Sequence, residues 1–328
     1  MKHRTLTLLL ILCLLLGGCA APASKPADAD YEAPIVVGFS QVGAESDWRN
    51  ANTRSMQQSL SPENGFRLII DDAQQKKERQ ITAIRNFIHQ GVDYIVLAPT
   101  TEDGGDTVLS EARAAGIPVI IIDRMISGGD SAADDSLFTC WIGSDFRRQG
   151  DTAVAWMEQK FGDTPLRIVH LQGNYGSSAQ AGRTASLDAG LARNPHWTLA
   201  ARDSGDFTQA KGQELVEAYL AQGIKFDVIF AENDNMAYGA IDALKAAGLV
   251  PGKDVHIVSF DANRTALEMV MNGEISFDVE CNPLHGPRVR AVIEQLEKGE
   301  TPLKLTYVSE SAFDAEGLTR DLIDSRGY

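Results

Sequence analysis

The segment Pro118-Val119-Ile120-Ile121-Ile122-Asp123-Arg124 carries four β-branched residues in a row and then, with nothing between, a carboxylate and a guanidinium. A run apolar on both alternating faces is a strand buried on both sides, as in a parallel sheet covered by helices. In open α/β sheets the ligand crevice lies beyond the carboxyl ends of the strands. The segment therefore delivers an acceptor, Asp123, and a rigid fork of donors, Arg124, to the place where a ligand would sit. Such a pair suits a small ligand rich in hydroxyl groups; a local ion pair at a loop start is the plainer alternative.

The segments around it repeat the theme. Strands are expected at Ile35–Ser40, Phe66–Asp71 and Tyr94–Ala98, with helices at Arg49–Leu60, Lys77–Gln90 and Thr107–Ala115 between them and Gly91 as a C-cap. Beyond Pro118 the pattern restarts, with strands at Phe138–Gly143, Arg167–Leu171, Thr198–Arg202, Val228–Ala231 and Val255–Phe260. Helices are expected at Arg147–Lys160, Gln209–Gln222 and Met236–Ala247. Two successive doubly wound α/β units, each with a parallel sheet, put the natural ligand site in a cleft between lobes. Polar groups arrive at many of the strand ends: Gln41 to Arg49 at the first, Gln172-Gly173, Asn233-Asp234 and Asp261 in the second unit. Any one of them could be a helix cap.

The N-terminus speaks to location. Met1 to Arg4 is basic, Leu6 to Leu16 is apolar but too short to span a bilayer, and Leu16-Gly17-Gly18-Cys19 follows. This is an export signal over residues 1–18, similar to that of bacterial lipoproteins, with Cys19 as the lipidation site and 19–33 as a tether. An ordinary secretory cleavage after Ala20 or Ala21 is the alternative. Loss of the signal takes the formal charge from −15 to −17, since Lys2 and Arg4 leave and no acid does. A surface this acidic repels phosphate backbones and anionic lipid, so no nucleic-acid partner is expected, and membrane contact only through the lipid. Hydrophobic residues make up 44% of the chain, enough for a packed core. The cysteines show no Cys-x-x-Cys spacing and the six histidines no i, i+4 pair, so neither a metal nor a cofactor is expected.

Taken together, Val37-Gly-Phe-Ser-Gln-Val-Gly43, Trp48-Arg49, Asp72-Ala-Gln-Gln-Lys76, Gln90-Gly-Val-Asp93, Asp123-Arg124, Leu171-Gln-Gly173, Ser204-Gly-Asp-Phe-Thr208, Asn233-Asp234 and Gly252-Lys-Asp254 resemble a known family. It is that of the periplasmic sugar-binding proteins of ABC importers, of the ribose/galactose-binding type, and within it the galactofuranose-binding type. The resemblance implies a type I periplasmic binding protein fold: two lobes joined by a three-strand hinge. It places residues 34–141 plus 283–304 in the N-terminal lobe and 142–282 plus 305–328 in the C-terminal lobe. It implies a monosaccharide ligand, galactofuranose in particular, a permease and ATPase complex in the inner membrane, a monomeric protein and no enzymatic activity.

By the same resemblance, Asp123 and Arg124 grip ring and hydroxyl oxygens from the first lobe, with Gln41, Glu45 and Arg49 beside them. Arg183, Asn233 and Asp261 do so from the second, Glu280 reaches the ligand from the hinge, and Trp48 and Phe207 stack on the sugar. The segment Asn174 to Ser178 departs from the family's wording. The implied hinge brings Cys140 and Cys281 onto neighbouring crossings, as a disulfide or as two separate buried thiols. Other readings are a tethered sugar sensor and a furanoside-acting enzyme. Against the enzyme, the adjacent Arg124 favours the ionised form of Asp123. A repressor core of the same fold has an export signal against it.

Overall fold

The described residues of the structure, a computed structural model, are 33–126 and 135–328. The export signal, Cys19 and the tether up to residue 32 lie outside them. From Pro34 to Tyr328 the chain forms one compact unit. It opens with β1 (Ile35–Gln41), α1 (Asp47–Ser59), β2 (Phe66–Asp72), α2 (Lys77–Gln90), β3 (Tyr94–Leu97), α3 (Asp106–Ala114), β4 (Val119–Ile122) and β5 (Cys140–Gly143). It continues through α4 (Phe146–Phe161), β6 (Leu166–Gln172), α5 (Ser178–Arg193), β7 (Trp197–Ser204), α6 (Gln209–Ala221), β8 (Val228–Ala231), α7 (Asp234–Ala246) and β9 (His256–Asp261). It closes with α8 (Arg264–Met271), β10 (Phe277–Glu280), α9 (Gly286–Glu297), β11 (Leu305–Tyr307), β12 (Ala312–Phe313) and α10 (Arg320–Ser325).

The opening segment does what its composition dictates. All four residues of β4 are buried. Because successive side chains point to opposite faces, Ile120 and Ile122 join one core with Met56 of α1 and Val289 and Ile293 of α9. Val119 and Ile121 join the other, with Ile84 and Phe87 of α2 and Leu109 of α3. In the second lobe β8 is divided in the same way. Val228 and Phe230 pack with Val154 and Met157 of α4, while Ile229 and Ala231 pack with α6, α7 and α8.

The two sheets have the order β11-β5-β4-β3-β1-β2 and β12-β10-β9-β8-β6-β7. Each order reverses direction at its first strand, between β1 and β3 in one and β6 and β8 in the other, and a crevice opens where it does. All pairings are parallel except β12 against β10. The lobe boundaries expected from the sequence need correction. β5 stays in the first sheet through Gly143, and β11, expected in the second lobe, pairs with Trp141 to Gly143 in the first. The crossings thus lie at 144–145, 281–285 and 308–311.

Candidate functional site

Between the lobes lies a narrow cleft. Nine of the eleven expected ligand residues line it: Glu45, Trp48, Arg49, Asp123, Arg124, Arg183, Phe207, Asn233 and Asp261. Local structure explains how they arrive. Ser46 caps α1, its Oγ accepting from the Arg49 N–H, and the first turn of α1 then presents Trp48 and Arg49. Asp123 follows β4 and Asp261 ends β9, and both sit at positive φ, +63° and +116°. These are conformations side chains seldom adopt, and they turn each acid out of its strand. Gly173 leaves room for Phe207: a Cβ there would stand 1.8 Å from the ring.

The first lobe's contribution is an ion cluster. Nη1 of Arg49 donates to Asp123 Oδ2 at 2.9 Å and to Gln41 Oε1 at 3.2 Å, and its Nε donates to Glu45 Oε1 at 3.4 Å. Burial pulls the Arg49 pKa down, but the carboxylates of Asp123 and Glu45 outweigh it, and the guanidinium is held above its ordinary value. For Arg124 burial wins. Desolvation, with Arg49 as a like charge, brings it down to about 10, still charged at neutral pH. Arg124 Nη1 donates to the Thr100 carbonyl at 3.0 Å, and the guanidinium lies 5.3 Å from the centre of the Phe207 ring. The Arg49 guanidinium lies likewise over Trp48, at 4.6 Å.

The second lobe's contribution is held differently. Arg183 donates from Nε and Nη2 to Gln149 Oε1 at 3.1 and 2.8 Å and from Nη1 to the carbonyl of Glu232. Its guanidinium lies 4.6 Å from the centre of the Phe260 ring. Burial, then the nearby Asp234, raise the Asp261 pKa well above the carboxylate range. Asn233 caps α7 through Oδ1, and its Nδ2 donates to the Phe207 carbonyl at 3.0 Å, so both ends of its amide are engaged within the lobe.

Two expected residues stand elsewhere. Gln41 is one layer behind the cleft, bonded to Arg49, Asn52 and Thr53. Glu280 turns away from it. Alternation at the end of β10 gives the cleft to Cys281, while Glu280 pairs with Arg326 at 2.6 Å and accepts from Tyr328 and the Ser311 N–H. Of the two readings for Cys140 and Cys281, the structure has the separate thiols: both are free and buried. Cys281 Sγ lies 3.5 Å from Ser144 Oγ, and Cys140 is four residues upstream of Ser144 along an extended strand. Ser46, Phe146, Ala179 and Cys281 also line the cleft. The first caps a helix and the other three resemble core residues in sequence, so only the fold reveals them.

The cleft is also closed by contacts between lobes. Asn174 Nδ2 donates to Gln75 Oε1 at 2.6 Å, the Met125 N–H to Ser178 Oγ at 3.0 Å, and the Glu102 N–H to the Gly176 carbonyl at 2.9 Å. On the opposite rim the Asp47 N–H donates to Asn235 Oδ1 at 3.0 Å. The segment 174–178, which departs from the family's wording, is thus one side of the closure.

Comparison with known proteins places this arrangement. The model of the periplasmic binding protein domain family matches residues 37–285. The galactofuranose-binding protein of Escherichia coli K12 is 36% identical over 304 residues, covering 92% of this chain and 93% of the relative. The crystal structure of a galactofuranose-binding protein superposes with a TM-score of 0.84 at 35% identity, covering 89% and 98% of the two chains. A Mycobacterium smegmatis protein in complex with β-D-fucofuranose does so with a TM-score of 0.81 at 38% identity, covering 86% and 92%.

Proposed function

We propose, for a chain that belongs to the periplasmic binding protein domain family, that the cleft binds one neutral monosaccharide in its furanose form. Galactofuranose is the first choice, and delivery is to the permease and ATPase of an ABC importer. The observation that carries the reading is the balance of the cleft. Three guanidinium groups, which only donate, face three carboxyl groups, of which Asp261 is biased toward its neutral form, so donors and acceptors are interleaved as the hydroxyl groups of a sugar require. Each arginine keeps at least two N–H donors free of hydrogen bonds to the described residues. Glu45 Oε2 is buried without a partner, and the Asp261 carboxylate accepts no hydrogen bond from the described residues. Buried polar atoms left unpaired cost about 1–3 kcal/mol each, so a ligand with closely spaced donors and acceptors recovers that cost. The rings of Trp48 and Phe207 offer surfaces to sugar C–H groups. The galactofuranose and fucofuranose ligands of the relatives support the ring form.

Contacts from both lobes make the ligand a bridge, so it favours the closed arrangement by its differential affinity for it. The family implies export to the periplasm, and among the described residues no helix is long and apolar enough to cross a membrane. The reading extends to a monomer held at the membrane through lipid on Cys19. Titration calorimetry over pentoses and hexoses, including compounds locked in furanose and pyranose form, tests the function. The expected result is preference for a furanose. Free sugars bound no better than millimolar, with an oligosaccharide or amino acid as the best ligand, would overturn it.

A further inference from the structure

Glu310 lies on the third crossing, between β11 and β12, and its carboxylate ties all three crossings together. Oε1 accepts from Ser144 Oγ at 2.6 Å on the first crossing and from the Asn282 N–H at 2.8 Å on the second. Oε2 accepts from Gln149 Nε2 at 2.6 Å. Gln149 is buried near the start of α4, and its Nε2 also donates to the Glu280 carbonyl at 3.1 Å. The other end of the same amide, Oε1, accepts two donors from Arg183. Arg183 lines the cleft; Glu310 and Gln149 do not.

The relay has a direction. A carboxylate only accepts, a guanidinium only donates, and an amide has one end of each kind. With acceptors at Glu310 Oε2 and the Glu280 carbonyl, the Gln149 amide must point its NH2 to the crossings and its oxygen to Arg183. We infer that Glu310 is a positioning residue for the ligand site: through Gln149 it fixes the orientation in which Arg183 offers its remaining N–H donors to the cleft, and it anchors that orientation to the hinge. The inference rests on reading the cleft as a sugar site. An amide at position 310 would break the relay. With its oxygen kept by the Asn282 N–H and Ser144 Oγ, its NH2 faces Gln149, and either two NH2 groups meet there or Gln149 flips and sets its NH2 against Arg183.

The test is calorimetry with L-arabinose, D-fucose and D-galactose, whose solutions contain the furanose form, on wild type, Glu310→Gln, and Glu310→Gln combined with Gln149→Glu. Glu310→Gln should bind about ten- to hundredfold more weakly with an unchanged circular dichroism spectrum. The double exchange restores a donor–acceptor match between the two positions and an acceptor against Arg183, but it sets a carboxylate oxygen against the Glu280 carbonyl, so affinity should recover in part, at least about threefold above the single variant. Wild-type affinity in the single variant, or a loss that the double exchange does not lessen, would overturn the inference. Should Glu310→Gln not fold, Gln149→Met leaves the ties to Ser144 and Asn282 in place and must show the same loss; undiminished affinity there refutes it. A wild-type protein that binds none of the three sugars overturns the sugar reading together with this inference, whereas binding that ignores position 310 overturns the inference alone.

Discussion

Asp123 and Asp261 stand at corresponding places, each at the end of the fourth strand of its lobe, each at positive φ and each in the cleft. Their surroundings are opposite. Asp123 has Arg49 at 2.9 Å and Arg124 at 3.9 Å. Among the described residues Asp261 has no hydrogen-bonded cation, and it faces Asp234, which stands behind it with Asp278. The fold thus fixes where a carboxyl group is delivered, and the neighbours fix what it is paired with. The first lobe offers a charged acceptor locked in an ion pair. The second offers a carboxyl group biased toward its neutral form, able to donate as well as accept.

The largest expected effect breaks this difference. Asp123→Asn removes the counter-charge of two buried guanidinium groups, which costs about 3–5 kcal/mol of folding stability. Asp261→Asn replaces an unpaired, largely neutral carboxyl group by a neutral isostere, so stability should change by less than about 1 kcal/mol. Both should weaken sugar binding. Urea unfolding of the two variants, with calorimetry alongside, checks this; equal stability losses would remove the distinction between the lobes.

A smaller effect sharpens it through pH. Where the second crossing enters the first lobe, His285 is fully buried beside Trp48 with both ring nitrogens unpartnered, and burial, first among the causes, brings its pKa down to about 4. Its neutral form is the folded one. That stability is present above its ordinary value of about 6.5 and is lost as pH falls through about 4, to a total of about 3 kcal/mol. In the second lobe Asp278 is buried, its Oδ1 accepting from the Ala262 N–H and its Oδ2 without a partner in hydrogen-bonding range of a donor; burial raises its pKa. A raised acid works in the other sense. Its stability is present at low pH and is lost as pH rises above the carboxylate range. Between about pH 4 and 6.5 the two slopes oppose each other. Relative to wild type, His285→Leu should make stability fall more steeply as pH rises there, and Asp278→Asn should make it fall less steeply or rise. Parallel pH–stability curves for the two variants would contradict the assignment.

What was legible in the sequence follows from the same division. Strands buried on both faces write continuous apolar runs, and α2 shows Ile81, Ile84 and Phe87 on one face before Gly91, so the order of elements could be read. The strand-end acids were legible because an α/β sheet has only one end at which a ligand sits. Orientation was not. Glu280 and Cys281 are neighbours, and which of them enters the cleft depends on Arg326 and Tyr328, 46 and 48 residues away. Phe146 and Ala179 carry no polar signature. The role of Glu310 is invisible because Ser144, which it holds, lies 166 residues earlier.

The smallest expected effect concerns one cysteine from each lobe. Cys140 opens β5 in the first sheet, and Cys281 follows β10 of the second. The contact between Cys281 and Ser144 leaves Cys140 four residues back along an extended strand, about 13 Å at the usual rise. A disulfide requires Cα atoms about 4.4–6.8 Å apart. Burial raises both thiol pKa values, that of Cys140 to about 11, so neither is a ready nucleophile in the folded protein. A reductant should therefore shift the melting midpoint by less than about 1 °C, well below the several degrees that loss of a bridge would cause. Alkylation after unfolding without reductant should label both positions 140 and 281, and alkylation of the folded protein should be slow at both. A linked peptide pair in the non-reduced digest would show that the two lobes are joined covalently and that β5 and the second crossing lie closer than this structure places them.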